Sequence, residues 1–169
     1  MKQISEVSVG DVVLSADSNL NMKYSPVIAV PHKTNDIETS FSNIRFVDER
    51  DIMMTPEHLI LAGSCGSNAL ALRAAKKVAP GMCVVDSENK QVEVVSNDMK
   101  TSKGLYTIVT NEEYVVINGF VASPFAYNHF VANNFYNVYR MAVKSMPLLF
   151  QSQFFMAGFH AFAGLVMSV

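Results

Sequence analysis

The chain has 169 residues, with 13 Lys and Arg against 15 Asp and Glu, which gives a net charge of −2. A balance so close to neutrality argues against nucleic acid as a partner, because nucleic-acid-binding proteins carry a basic patch or stripe. Half of the residues are apolar and the mean hydropathy is +0.19. This composition excludes low-complexity disorder, because disordered chains are polar and highly charged.

Residues 1 to about 123 are predicted to form short strands separated by polar turns. Apolar and β-branched runs alternate with turn-forming residues such as Gly, Pro, Asn and Asp. The predicted strands are 12–14, 24–30, 52–54, 82–85, 92–95, 105–109 and 114–117. Regular short strands of this kind predict a mainly β sandwich or barrel rather than alternating strands and helices.

Two segments of the β region share one pattern, in which a glycine precedes a β run, a turn and a second β run. Gly10 opens the first segment and Gly81 opens the second. A repeated β-turn-β unit would give a fold with pseudo-twofold symmetry. The alternative is that two short hairpins are alike by chance.

Residues 67–78 are predicted to form a helix, since Leu70, Ala71, Ala74 and Ala75 recur at helical spacing. Cys65 lies in the Gly-rich loop before this segment, and Cys83 lies in a β run after it. Two cysteines are too few for a disulfide framework or a zinc site with the usual paired spacing. We expect two buried thiols, with a single disulfide as the alternative, and no nucleophile, because neither has a nearby base in the sequence.

The composition changes after Ser123, and a tail over 128–169 rich in Phe, Ala, Met and Asn is predicted to be helical. Residues 145–169 contain no charged side chain, and this stretch exceeds the roughly 20 residues that a membrane-spanning helix needs. Because Pro147 and several polar residues interrupt it, we expect a buried or interface-lying helix pair joined near Pro147 rather than a membrane span. Contact with a membrane surface stays open.

The motif from Met54 to His58 carries the strongest chemical signal, because Thr55 and His58 stand three residues apart. Across a tight turn, both side chains can reach one peptide bond. The imidazole can polarise that bond or protonate its leaving nitrogen, and the hydroxyl can hold it in place for an acyl shift. The alternative is a capped helical turn, since Thr is a good N-cap and Pro suits the first helical position.

The other histidines are weaker candidates. By itself, His32 is expected to be an exposed turn residue, while His129 and His160 lie in the predicted helical tail. Four scattered histidines without an i,i+4 pair or a nearby cysteine do not form a metal site. We therefore expect neither a metal nor a cofactor.

Six short blocks stand in a definite order along the chain. They are VGDVVLSAD (9–17), YSPVI (24–28), MTPEHL (54–59), VAPGM (78–82), SKG (102–104) and VINGFVAS (116–123). In this order they resemble a Hedgehog C-terminal autoprocessing domain (Hint or Hog domain), from about Ile4 to Tyr127. Within this family, the blocks resemble the divergent Hedgehog-related proteins of nematodes more than a standard Hedgehog protein. Six blocks in order are a far more specific signal than Thr-x-x-His alone.

The resemblance implies a pseudo-twofold Hint β module over 1–127 and a hydrophobic, helical, sterol-recognition-like extension over 128–169. It also implies an N-to-S acyl shift, in which a cysteine upstream of Ile4 attacks the preceding carbonyl while Thr55 and His58 assist. A sterol or other alcohol then attacks the thioester, so the partners are the precursor's own upstream segment and a sterol or membrane lipid. The implied location is the secretory pathway, the cell exterior or a membrane.

Three positions depart from the family pattern. His32 replaces the acidic residue that activates the sterol. A histidine can act as a base near neutral pH, and water is the alternative nucleophile. Pro124 replaces a cysteine that often follows Ala-Ser. The nucleophilic cysteine is expected upstream of this chain, so the resemblance implies an N-terminally truncated domain that is inactive alone. The competing hypotheses are a non-catalytic lipid- or membrane-binding module and a small soluble β domain.

Overall fold

The computed structural model describes residues 2–126 and 129–145. The chain divides into two compact units, Met1–Tyr127 and Asn128–Val169. The described part of the first unit contains 3₁₀ turns at Ile4–Glu6 and Ala75–Lys77 and a set of strands, and that of the second is the helix α1, His129–Ser145. The strands are β1 (Val12–Ala16), β2 (Met22–Phe46), β3 (Asp51–Met54), β4 (His58–Ser64), β5 (Ala71–Ala74), β6 (Met82–Val85), β7 (Gln91–Thr110), β8 (Tyr114–Ile117) and β9 (Phe120–Ala126).

The predicted β architecture is confirmed, and all seven predicted strands lie within observed strands. The runs 92–95 and 105–109 were expected to be separate, but both belong to β7. They form one strand because β7 pairs with β2 in antiparallel orientation along nearly its whole length, from Val27↔Thr110 to Phe46↔Val94. Four register shifts along this pair of strands interrupt the ladder, as β-bulges do when they bend a strand.

The strands form one sheet in the order β1-β8-β9-β4-β6-β7-β2-β3, with β5 paired to β4. An additional pairing joins β1 at one end of this path to β2, the strand before the other end, so the pairings from β1 through β8 to β2 make a closed ring that leaves β3 outside. Within this ring, the long strands β2 and β7 pair with each other, and they also pair with β1 and β6, respectively.

Corresponding residues of the two repeats form the same backbone hydrogen bond. The N–H of Gly10 donates to the carbonyl of Val27, and the N–H of Gly81 donates to the carbonyl of Val94, each at 2.9 Å. Both glycines have positive φ, +94° and +81°, which few other residues tolerate. The two repeats therefore share the same backbone contact, as the pseudo-twofold symmetry predicted from the sequence requires.

The hairpin turns of the two repeats also match. The carboxylate of Asp17 accepts hydrogen bonds from the N–H groups two and four residues later, and the carboxylate of Asp86 does the same. The third residue after each aspartate, Leu20 or Asn89, has φ near +60°. Such Asx turns supply local hydrogen bonds that close a hairpin.

The apolar core of the described residues includes separate clusters. One contains Ile44, Ile60, Val84 and Phe120, a second contains Leu61, Tyr114 and Val121, and a third contains Val7, Val27, Ile108 and Val115. The rings of Phe46 and Phe120 stack with their centroids 3.9 Å apart.

The predicted helix over 67–78 is wrong. Residues Ala71–Ala74 form β5, which pairs with β4, and Ala75–Lys77 form a 3₁₀ turn. Leu70 and Leu72, two positions apart, pack against a core cluster, which is the spacing of a strand. Hydrogen bonding to the edge of β4 overrides the intrinsic helix preference of the alanines.

The helical tail is confirmed over His129–Ser145, and the expected helix pair near Pro147 lies outside the described residues. In the part of the chain that the structure describes, no helix has the length and apolar character needed to cross a bilayer.

Candidate active site

Thr55 and His58 lie at the two ends of the tight turn that connects β3 to β4. The N–H of His58 donates to the carbonyl of Thr55 at 2.9 Å, and both side chains are half-buried. The chain enters β4 immediately at His58, so the helical-turn interpretation of this motif is wrong. The turn brings the hydroxyl-bearing and imidazole-bearing residues to the same end of β4.

The Ala75–Lys77 turn contacts the residues between Thr55 and His58 and stabilises their conformation. The N–H of Lys76 donates to the carbonyl of Pro56 at 3.0 Å, and the Lys76 ammonium forms an ion pair with Glu57. The side-chain amide of Asn97, on β7, donates to the carbonyls of Ala75 and Val78, at 2.8 Å each. A chain of contacts thus runs from β7 to the turn between Thr55 and His58.

The ring of His58 is fixed by a backbone carbonyl. Its Nε2 lies 2.7 Å from the carbonyl oxygen of Ser123 on β9. Because a carbonyl oxygen only accepts hydrogen bonds, Nε2 must carry the hydrogen, and in the neutral ring Nδ1 is then the basic nitrogen. Burial lowers the pKa of His58, although the hydrogen bond to Ser123 opposes this effect, so the ring is neutral at pH 7.

His32 lies on β2, where it pairs with Thr107 of β7, and it is half-buried rather than an exposed turn residue. Its neighbour Lys33 donates through Nζ to the carbonyl of Val7 at 2.9 Å. Among the described residues, no hydrogen bond or ion pair connects His32 with Thr55 or His58. The structure brings Thr55 and His58 together and places His32 on a separate pair of strands.

Cys65 and Cys83 form a disulfide, so the expectation of two buried thiols is wrong. Gly63 of β4 pairs directly with Cys83 of β6, which brings the Cα atoms of the two cysteines to 4.9 Å, within the range for disulfides. Cys65 is exposed and Cys83 is buried. Pairing of β4 with β6 creates this contact, and no signal in the spacing of the two cysteines indicates it.

Sequence reasoning also missed the supporting roles of Lys76 and Asn97, because both depend on contacts between distant segments. Ser123 does fall in one of the six sequence blocks, but its carbonyl could not be singled out there. In the residues described by the structure, no group of three or more His, Cys, Asp or Glu side chains is arranged to hold a metal ion. The absence of a metal or cofactor from the function stays a prediction.

Comparison with known proteins gives several similar sequences. Warthog protein 6 of Caenorhabditis elegans is 31% identical over 128 residues, covering 73% of this chain and 21% of that protein. Protein hedgehog of Drosophila erecta is 29% identical over 130 residues (74% and 28%), and Sonic hedgehog protein of Xenopus laevis is 26% identical over 133 residues (74% and 30%). The match thus spans less than a third of each of these relatives, and the predicted resemblance to Hedgehog-related proteins is confirmed.

The fold is shared with inteins of known structure. The gp41-1 intein superposes with a TM-score of 0.56 at 20% identity, covering 73% of this chain and 87% of the intein. A DnaB intein from Synechocystis sp. PCC 6803 gives a TM-score of 0.59 at 10% identity, covering 75% and 87%. The family model for the Hint module matches residues 1–169. The chain therefore belongs to the Hint module family.

Proposed function

We propose that this chain catalyses the self-cleavage of a Hedgehog-type precursor and transfers the upstream segment to a sterol or another alcohol. Membership of the Hint family and similarity to Hedgehog proteins and inteins support autoprocessing in general. The observation that carries the assignment to this site is the contact of His58 Nε2 with the Ser123 carbonyl, in the same turn as Thr55. A fixed imidazole with one basic nitrogen is suited to move a proton during an acyl shift.

In the first step, Nδ1 of His58 takes the proton of the upstream cysteine thiol, whose sulfur attacks the carbonyl carbon of the preceding residue. The carbon–nitrogen bond breaks, and the imidazolium returns the proton to the leaving nitrogen. Thr55 orients the peptide through its hydroxyl. The product is a thioester in place of the peptide bond, and the cycle leaves His58 neutral.

In the second step, the oxygen of the acceptor alcohol attacks the thioester carbonyl. His32 takes the proton of that hydroxyl, the carbon–sulfur bond breaks, and the thiolate regains the proton. The half-buried position of His32 on β2, away from the turn with Thr55 and His58, is consistent with a separate role in this later step. The expected result is an ester between the upstream segment and the alcohol.

The first test uses a precursor in which an upstream reporter and a Gly-Cys junction precede the chain. We expect His58→Ala to slow cleavage by dithiothreitol about 10²- to 10⁴-fold, the usual contribution of an acid–base group. Thr55→Ala should slow it less, because the hydroxyl only positions the peptide. Lys77→Ala, beside the site but outside its contacts, is the control. Cleavage of the His58→Ala precursor at the unmodified rate contradicts the assignment.

The pH profile gives a second readout of the same step. Since burial lowers the pKa of His58, Nδ1 stays unprotonated at pH values somewhat below 6.5, the ordinary pKa of histidine. The rate with dithiothreitol, corrected for the thiolate fraction of the reagent at each pH, should therefore rise with pH and level off before that value. A corrected rate that still rises well above pH 6.5 contradicts the assignment of His58 as base.

Replacement of His32 separates the two steps. We expect His32→Gln to abolish cleavage driven by sterol while leaving cleavage by dithiothreitol unchanged, because an external thiol does not need the base. Thr34→Ala, two positions further along β2 and also half-buried, is the matched control. Equal loss in both reactions shows that His32 serves the fold or the first step instead.

The Cys65–Cys83 disulfide supports the proposed location in the secretory pathway, because such bonds persist in oxidising compartments. The 5′ end of the natural transcript tests this together with the precursor. The proposal expects coding sequence that continues upstream to a Gly-Cys junction and a signal peptide. A transcript that encodes neither contradicts it.

A lipid-binding role without catalysis is the second candidate, and α1 provides an observation in its favour. Phe130 and Val138 are 74% and 63% exposed, and a spacing of eight residues places them on one side of the helix. This function predicts binding to sterol-containing vesicles that is lost on deletion of 145–169 and unaffected by Thr55→Ala or His58→Ala. Co-sedimentation with vesicles measures both effects.

A further inference from the structure

The carbonyl that holds His58 belongs to a β-bulge between β4 and β9. Direct pairs are His58↔Ala126 and Ile60↔Ala122, so two steps along β4 correspond to four steps along β9. The extra residues lie in the segment 123–125, which departs from the regular ladder. A bulge of this kind re-aims backbone groups next to a functional site.

The side chain of Ser123 stabilises this bulge. Its Oγ accepts a hydrogen bond from the N–H of Phe125 at 2.9 Å, and both residues are buried, with 0% and 2% exposure. Pro124, between them, has no N–H that would need a partner. The hydroxyl of Ser123 therefore closes a turn over the same residue whose carbonyl oxygen points to Nε2 of His58.

We propose that Ser123 is the positioning residue of His58. By closing the bulge, its hydroxyl keeps its own carbonyl oxygen at 2.7 Å from Nε2, which keeps the hydrogen on Nε2 and the lone pair on Nδ1. The role in catalysis rests on the proposed function, because the tautomer matters only if His58 moves the proton. The tautomer itself is measurable in the chain without any reaction.

Imidazole ¹⁵N NMR of the 169-residue chain tests the structural half of the proposal. Wild type should show His58 as the Nε2–H tautomer alone. Ser123→Ala should give a mixture of both tautomers, Ser123→Thr should restore the single tautomer, and Ser42→Ala should change nothing. Ser42 is equally buried, and its hydroxyl contacts the Met99 sulfur instead.

If Ser123→Ala fails to fold, Ser123→Cys is the second variant, because it preserves volume while offering a weaker acceptor. It should give a smaller but measurable fraction of the Nδ1–H tautomer. A folded Ser123→Ala or Ser123→Cys chain with the unchanged Nε2–H tautomer overturns the proposal.

Cleavage of the precursor by dithiothreitol tests the catalytic half. Ser123→Ala should slow it by roughly 10²-fold, the cost of a small misplacement of a catalytic group, and Ser123→Thr should restore it. If His58→Ala cleaves normally, the proposed function fails, whatever the tautomer. If His58→Ala is inactive while Ser123→Ala keeps both tautomer and rate, the role of Ser123 alone fails.

Discussion

Gly104 has two separate reasons to be glycine, one in its backbone and one in its surroundings. Its φ is +97°, and a Cβ built there would lie 2.7 Å from Cε2 of Tyr106. The ring of Tyr106 covers this position, and its hydroxyl bonds to the side-chain oxygen of Asn35. The sequence marks Gly104 only as the last residue of the SKG block, because the backbone conformation and the position of the Tyr106 ring are known only from the structure.

Gly104→Ala is expected to lower the free energy of unfolding by about 3 kcal/mol, combining backbone strain of about 1–2 kcal/mol with overpacking against Tyr106. Gly66→Ala is the matched control, since its φ is +78° and no atom lies within 4 Å of the added Cβ. Gly66→Ala should lower the free energy of unfolding only by the backbone strain. Urea unfolding measures both, and equal losses in the two variants would mean that the Tyr106 ring moves aside freely.

Segment 67–78 shows how an element can change type once its neighbours are present. Its alanines and leucine follow helical spacing, yet Leu72 pairs with Leu61 and Ala74 pairs with Leu59 of β4. The hydrogen bonds available at the edge of β4 outweigh a difference in propensity of under about 1 kcal/mol per residue. The Ala75–Lys77 turn that follows then supports the segment from Thr55 to His58.

Asn97→Ala should weaken that support, because it removes both donors to the Ala75 and Val78 carbonyls. We expect a loss of about 2 kcal/mol in unfolding free energy, measured in urea, together with slower cleavage of the precursor. Asn21→Ala, which removes an exposed bond to Asp17, is the control and should leave the cleavage rate unchanged. An unaltered rate for folded Asn97→Ala contradicts the idea that β7 supports the site.

At the scale of the whole molecule, the two repeats of the first unit share backbone hydrogen bonds but differ in the side-chain contacts that stabilise them. In the described residues, the second repeat alone contributes a cysteine to a disulfide, since Cys83 is bonded to Cys65 just after β4. Its Asp86 turn is also bonded to Arg50, whose guanidinium lies 4.4 Å from the Phe120 ring centroid. The corresponding Asp17 forms an ion pair with Lys23 at the surface. The similarity of the two repeats therefore concerns the backbone, while their side-chain contacts differ.

Removal of the disulfide should destabilise the whole first unit. The two cysteines are 18 residues apart, and closing a loop of this size contributes about 3 kcal/mol. We expect the paired variant Cys65→Ser with Cys83→Ser to melt about 10 °C lower, and a reductant to lower the Tm of wild type similarly. The reductant should not change the Tm of the variant. A wild-type Tm that is insensitive to complete reduction, verified by thiol titration, contradicts the prediction.

The sequence by itself determined the β class, the positions of most strands, the internal repeat and the pairing of Thr55 with His58 in one turn. These features depend on local patterns: alternating apolar residues, turn residues and a short spacing between two functional groups. Tertiary structure decided the strand identity of 71–74, the Cys65–Cys83 bond, and the Ser123 carbonyl that selects the tautomer of His58. Each of these arises from contacts between separate strands, where hydrogen bonding and burial outweigh local propensity.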